Sequence, residues 1–372
     1  MTILLWVVLT PIALAVLAIG LYFLKAILEG VREGAREGWR EGTEESLRYK
    51  LPDEAAALGF VPRDQQDTEN AAPLPALLTG AMAAARAGDW KPAAALFEEA
   101  GRDWERRSAY SERLSGIAAE DDTWLLAWES ALPDDPTAAL LRARSTVHLA
   151  GKIRGSRRAQ YTTSEQFEGF HRTLVRSREE NARAAALAPE DPDPYISEIQ
   201  IALGLGYPHA DMDRIWDEIT ARAPHHYAAH FYALQYWCAK WRGSEKLARE
   251  FAARAADRAP LGSLMKAFPL IAHFEHDDSG STEADRTPEM HALVDAALAD
   301  AAAADPDHPR LSEVRHLLAY YLCLQGRDQA AVEQFRLVDG HIGALPWRYR
   351  ANPAETYCKL RDASVSAAAE AD

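Results

Sequence analysis

Residues Gly80–Ala100 read GAMAAARAGDWKPAAALFEEA. Gly88 and Trp90 precede Ala93, Phe97 and Ala100, an Ala-x3-Phe-x2-Ala spacing that sets the three side chains on one face of a helix. A small Ala lets two antiparallel helices approach, the glycine relieves the turn between them, and the Phe fills the gap beneath the next pair. The same order returns at Leu318–Val338, LAYYLCLQGRDQAAVEQFRLV, where Gly326 is followed by Ala331, Phe335 and Val338. Abundant alanine and a scarcity of β-branched runs agree with helix throughout, so the expected fold class is all-α.

Between these outer hairpins, prolines mark where helices should stop, because the residue before a proline is driven out of the helical region. They fall at Leu132-Pro133, Ala188-Pro189, Ala223-Pro224, Ala259-Pro260 and Asp305-Pro306. The steps from 189 to 224 and from 224 to 260 are 35 and 36 residues, while those from 133 to 189 and from 260 to 306 are 56 and 46. The longer steps predict insertions at Gly151–Thr163 and near Asp277–Thr287. Ile199, Leu203, Ile215 and Ile219, then Phe231, Leu234 and Trp237, recur at helical spacing and are expected in the core. Hairpin spacing and period together resemble the tetratricopeptide repeat. The resemblance implies an antiparallel helix-pair solenoid, wound as a right-handed α-α superhelix, over residues 76–360.

Outside that domain the chain changes character. Ile3–Leu24, ILLWVVLTPIALAVLAIGLYFL, carries no charge over 22 residues, enough to cross a hydrocarbon core of about 30 Å. Residues 1–27 are therefore expected to be a transmembrane anchor. Lys25, Arg32, Arg36 and Arg40 follow the span and only Met1 and Thr2 precede it. That bias places the N-terminus outside and the domain in the cytoplasm of a single-pass cell-membrane protein. Residues 28–50 form a juxtamembrane tether in which Gly30, Gly34, Gly38 and Gly42 recur every four positions, a small-residue stripe compatible with self-association. Residues 51–75, with four prolines and the polar run RDQQDTEN, are expected to be a linker, and the small, acidic 361–372 a disordered tail.

A formal charge of −15 argues against nucleic acid as a partner. Cys238, Cys323 and Cys358 are widely spaced with no CxxC pair, as packing residues or free thiols would be.

Residues from about 124 to 274 resemble a bacterial family known only as the domain of unknown function numbered 4034. The resemblance rests on WLLAWESALPDDPTAALLRA, the Gly155-Ser156 turn, ALAPEDPDPY, and Lys240-Trp241-Arg242-Gly243-Ser244 followed by Phe251-Ala252. It departs from the family pattern at Cys238-Ala239, where a proline often precedes the Lys-Trp pair. The resemblance implies a tetratricopeptide-type helical fold and carries no catalytic residue over.

Three groups of residues could carry function. Tyr236, Trp237, Trp241 and Arg242 offer an aromatic turn suited to holding a partner protein. Lys152, Arg154, Arg157 and Arg158, with Arg142 and Arg144 upstream, form the main basic cluster of an acidic chain. His273, His276 and Asp277 could supply metal ligands from one helix end, and His225, His226 and His230 form a second histidine cluster. There is no phosphate-binding glycine loop, nucleophile elbow or HExxH motif, and no cofactor is implied. The expectation is a membrane-anchored interaction or scaffold protein that performs no catalysis. A metal-dependent enzyme built on His273, His276 and Asp277, and an exported envelope protein with a cleaved leader, stay open as alternatives.

Overall fold

A computed structural model describes residues 49–155, 162–277 and 282–371. The expected span at 3–24 and the glycine stripe Gly30, Gly34, Gly38 and Gly42 lie outside these residues. Among the described residues no helix is long and apolar enough to cross a membrane. From Glu54 onward the chain forms one compact unit.

That unit is all-helical. Its α-helices run α1 Asp53–Ala57, α2 Ala76–Arg86, α3 Lys91–Ala100, α4 Trp104–Ala118, α5 Thr123–Ala131, α6 Pro136–Arg154, α7 Ser164–Leu187 and α8 Asp193–Leu205. There follow α9 His209–Arg222, α10 Tyr227–Trp237, α11 Glu245–Arg258, α12 Phe268–Phe274, α13 Pro288–Ala303, α14 Leu311–Leu324, α15 Asp328–Val338 and α16 Pro353–Ala371. The opening hairpin is α2 and α3. Gly88 turns the chain at φ +88°, Asp89 accepts the Lys91 N–H at 3.0 Å, and Ala93, Phe97 and Ala100 are buried. The closing hairpin is α14 and α15, where Gly326 at φ +68° precedes buried Ala331, Phe335 and Val338. A positive φ costs glycine nothing and other residues about 1 kcal/mol, hence the glycine at both turns.

Each proline of the register falls two or three residues beyond a helix end: α5, α7, α9, α11 and α13. Each interval between them holds one pair of helices, and the two helices of each pair pack together. The extra length of the first interval is mostly helix. α6 continues to Arg154 and α7 spans 24 residues, so Gly151–Arg154, expected in an insertion, are helical. The extra length of the last interval lies before α13, as expected.

Two boundaries differ from expectation. Residues 51–75 are no free linker, and of the expected tail 361–372 the described part, to Ala371, is helix. Phe60 and Gln66 are buried, and so are Arg361, Asp362, Ser364 and Val365 of α16. Residues 51–75 are held by the connection between α15 and α16 and by α16 itself. Asp67 N–H donates to Gly340 O at 2.9 Å, Ile342 N–H to Asp67 O at 2.6 Å and Gly343 N–H to Asn70 O at 2.8 Å. Asp339 collects the Val61 N–H at 2.7 Å, Gln66 Nε2 at 3.0 Å, Tyr357 Oη at 3.0 Å and Arg361 Nη1 at 2.9 Å. Arg361 also donates to Val61 O at 2.9 Å and lies 5.0 Å from the Phe60 ring. The first and last parts of the helical array therefore meet.

A polar seam runs through the interior along α4. Ser111 Oγ donates to Asp193 Oδ2 at 2.9 Å, Arg107 pairs with Asp191 at 3.3 Å, and Arg310, from just before α14, bridges Glu112 and Glu313. Burial would raise the Glu112 carboxyl, but Arg310 and then Arg144 hold it down to about 2.

Candidate functional site

The turn between α10 and α11 is decided by Gly243. A Cβ there would lie 1.9 Å from the Trp237 carbonyl oxygen, so only glycine lets the chain double back so tightly. Ser244 then caps α11 by accepting the Leu247 N–H at 3.2 Å. Of the four aromatic-turn residues, Tyr236 is fully buried, Trp237 half-buried, and Trp241 and Arg242 exposed. Tyr236 donates its hydroxyl to Tyr207 O at 2.6 Å, and His209 Nε2 donates to Arg242 O at 2.8 Å while its ring meets Trp237 edge-on at 4.8 Å. The turn thus grips the end of α8 and the start of α9.

What it grips leads to a groove. Tyr207 donates its hydroxyl to Glu198 Oε1 at 2.7 Å, and burial and then Glu198 push that hydroxyl up to about 12. Glu198 is on the floor of a cavity of about 430 Å³ between α7, α8 and α9. Asn181 of α7 donates through Nδ2 to Pro194 O at 2.6 Å and to Glu198 Oε2 at 2.9 Å. Its carbonyl oxygen is buried without a hydrogen-bond partner in the protein. Arg178 and Arg214 stand at the walls, and the Tyr195 ring is covered by the Arg222 guanidinium at 4.5 Å. Sequence reasoning missed this groove, since Asn181 and Glu198 are separated by a helix end and neither belongs to a motif. The only signal was ALAPEDPDPY between them.

The basic cluster is divided by the fold. Arg142 forks onto Glu129 at 3.0 and 2.8 Å and reaches Asp122 at 2.7 Å, while Arg144 is buried 3.5 Å from Asp193. Lys152 pairs with Glu120 at 3.3 Å, and Arg154 donates to Gly155 O at 3.4 Å. Arg157 and Arg158 lie outside the described residues.

The histidines separate as well. His226 caps α10 and contacts Trp104 O at 3.2 Å, while His230, buried against Trp216, is pushed down to about 4 by that burial. At the end of α12, His273 and Asp277 come together as their spacing predicts, but His276 turns away. Its Nδ1 donates to Ala272 O at 2.9 Å and its Nε2 accepts the Ala239 N–H at 3.3 Å. The third member is Asp285, from the far side of the insertion, with Oδ1 3.0 Å from His273 Nε2. No family model, curated protein or solved structure matches the chain, so its role rests on this geometry.

Proposed function

We propose that this is a membrane-tethered helical-repeat module that captures an extended segment of a partner protein in the α7–α8–α9 groove. In this proposal the helix pairs are tetratricopeptide-like repeats of a solenoid, and residues 3–24 anchor the chain with its domain in the cytoplasm. The repeat assignment is supported by the two glycine-turn hairpins and by one helix pair per proline interval. The anchor is supported by the 22 uncharged residues and the one-sided charge that follows them.

The observation that carries the binding role is the groove itself, walled by three helices and lined by both signs of charge, Arg178 and Arg214 against Glu198, Asp217 and Glu218. An extended peptide suits such a lining, since it brings backbone donors and acceptors together with side chains of either sign. The role assigned is binding without catalysis.

The test is site-specific photocrosslinking of the full chain in native membranes. A crosslinker at Ala185, which lines the groove, should yield a reproducible protein adduct that a crosslinker at exposed Arg336 does not. Asn181→Ala together with Glu198→Ala should abolish that adduct. Equal labelling from both positions, or an adduct insensitive to the double substitution, rejects the groove as the binding site.

A further inference from the structure

We infer that His273, Asp277 and Asp285 form a binding site for a single divalent transition-metal cation, with one imidazole nitrogen and two carboxylate oxygens as ligands. The three donor atoms lie within 4.8 Å of one another. His273 Nε2 is 3.0 Å from Asp285 Oδ1 and 4.0 Å from Asp277 Oδ2. Ligand atoms held about 2.1 Å from a tetrahedral ion stand roughly 3.4 Å apart, so side-chain shifts of under about 1 Å complete the set.

The backbone already positions these groups. Asp277 continues the last turn of α12, its N–H donating to His273 O at 2.9 Å. Asp285 sits in the short 3-10 turn Ala284–Arg286 that leads into α13, where Gln325 Nε2 donates to its carbonyl oxygen at 3.0 Å. Thr287 then caps α13 by accepting the Met290 N–H at 3.2 Å. Both sides of the insertion are thereby fixed, and the ligands face each other across it.

Charge points the same way. Among the described residues Asp285 forms its ion pair with His273 and with no lysine or arginine, although its side chain is only 4% exposed. Even with the ring protonated, two carboxylates outnumber one imidazole, so the three groups taken together are acidic. A dication neutralises both carboxylates, and Asp277, partly exposed, is the side from which it enters.

The donor set selects the metal class. Imidazole disfavours Mg²⁺ and Ca²⁺, and the absence of sulfur disfavours Cu⁺, which leaves ions such as Zn²⁺, Mn²⁺ and Co²⁺. On binding, Nε2 exchanges the hydrogen it shares with Asp285 for the metal, and the ring carries its proton on Nδ1. Three protein ligands leave positions for water. The ion would tie the end of α12 to the start of α13 and so stabilise the folded state in proportion to its occupancy.

The experiment uses the tag-free full chain in detergent, stripped of metal and titrated with Co²⁺. One equivalent should bind with visible absorption bands, Zn²⁺ should displace it, and Zn²⁺ should raise Tm. Asp277→Asn, at a partly exposed position where folding is retained, and His273→Gln should each weaken binding at least tenfold. His276→Ala should leave it unchanged. No stoichiometric Co²⁺ spectrum, or one that survives Asp277→Asn and His273→Gln, overturns the site. Because the groove is built from other helices, either outcome leaves the crosslinking result independent.

Discussion

His316 is held as a neutral ring by two bonds of opposite sense. Trp347 Nε1 donates to its Nδ1 at 3.1 Å, and its Nε2 donates to His341 O at 2.8 Å. A proton added to Nδ1 would face the indole N–H, and burial drives the ring down to about 4. His230, also buried, sits at about 4 as well. In the unfolded chain a histidine titrates near 6.5, so between pH 6.5 and 4 the unfolded state binds more protons. Stability is therefore complete above pH 6.5 and is lost as pH falls, by about 2 kcal/mol for each ring at pH 5. Urea midpoints at pH 7 and pH 5 check this: His316→Asn should shrink the difference, and an unchanged difference would remove His316 from the account. None of this was legible in the sequence, because the partners that give His316 its tautomer lie 25 and 31 residues away. His273 and Asp277 were legible, being one helical turn apart, whereas Asp285 was hidden behind an insertion.

Among elements, helix ends were the most legible, since prolines and turn glycines act through local sterics that need no tertiary partner. What local chemistry could not show was how a turn is used. KWRGS reads as an exposed aromatic surface, yet the turn is built around a backbone contact at Gly243 and supports Tyr207 and Glu198 from behind. Gly243→Ala puts a methyl group inside the van der Waals shell of the Trp237 carbonyl. We expect it to cost at least about 2 kcal/mol, and to lower Tm measurably, because the backbone on both sides is pinned. Trp241→Ala, a change at the exposed tip, should move Tm little. If the two variants melt alike, Gly243 is not the keystone of this turn.

For the molecule as a whole, the closure of the array is the feature that patterning missed. Residues 51–75 lack periodicity because their bonds are to backbone and to Asp339, and 361–372 hide one because Tyr357, Arg361 and Val365 line up at a spacing of four among small residues. Removing 361–372 should therefore be severe. It deletes the guanidinium that pairs with Asp339 and leaves that carboxylate near Phe60 and Tyr357 without its cation, a loss of about 3–5 kcal/mol for a buried pair. Removing only 369–372, which are exposed or lie outside the described residues, should be neutral. Thermal unfolding of the two truncations separates these outcomes, and equal stability would mean that the ends do not hold each other in solution.

That meeting of ends also limits how such a protein can change over evolutionary time. An open stack of helix pairs lengthens or shortens by whole repeats, because each unit contacts only its neighbours. Here the strand-like pairing of Asp67 with His341 has to be reached from both directions. Duplicating or deleting one pair would move one partner by the width of a repeat and leave Asp339 and Arg361 with nothing to close upon. The closure thus fixes the number of pairs, and added length has room only in the long connections, such as the one between Asp277 and Asp285.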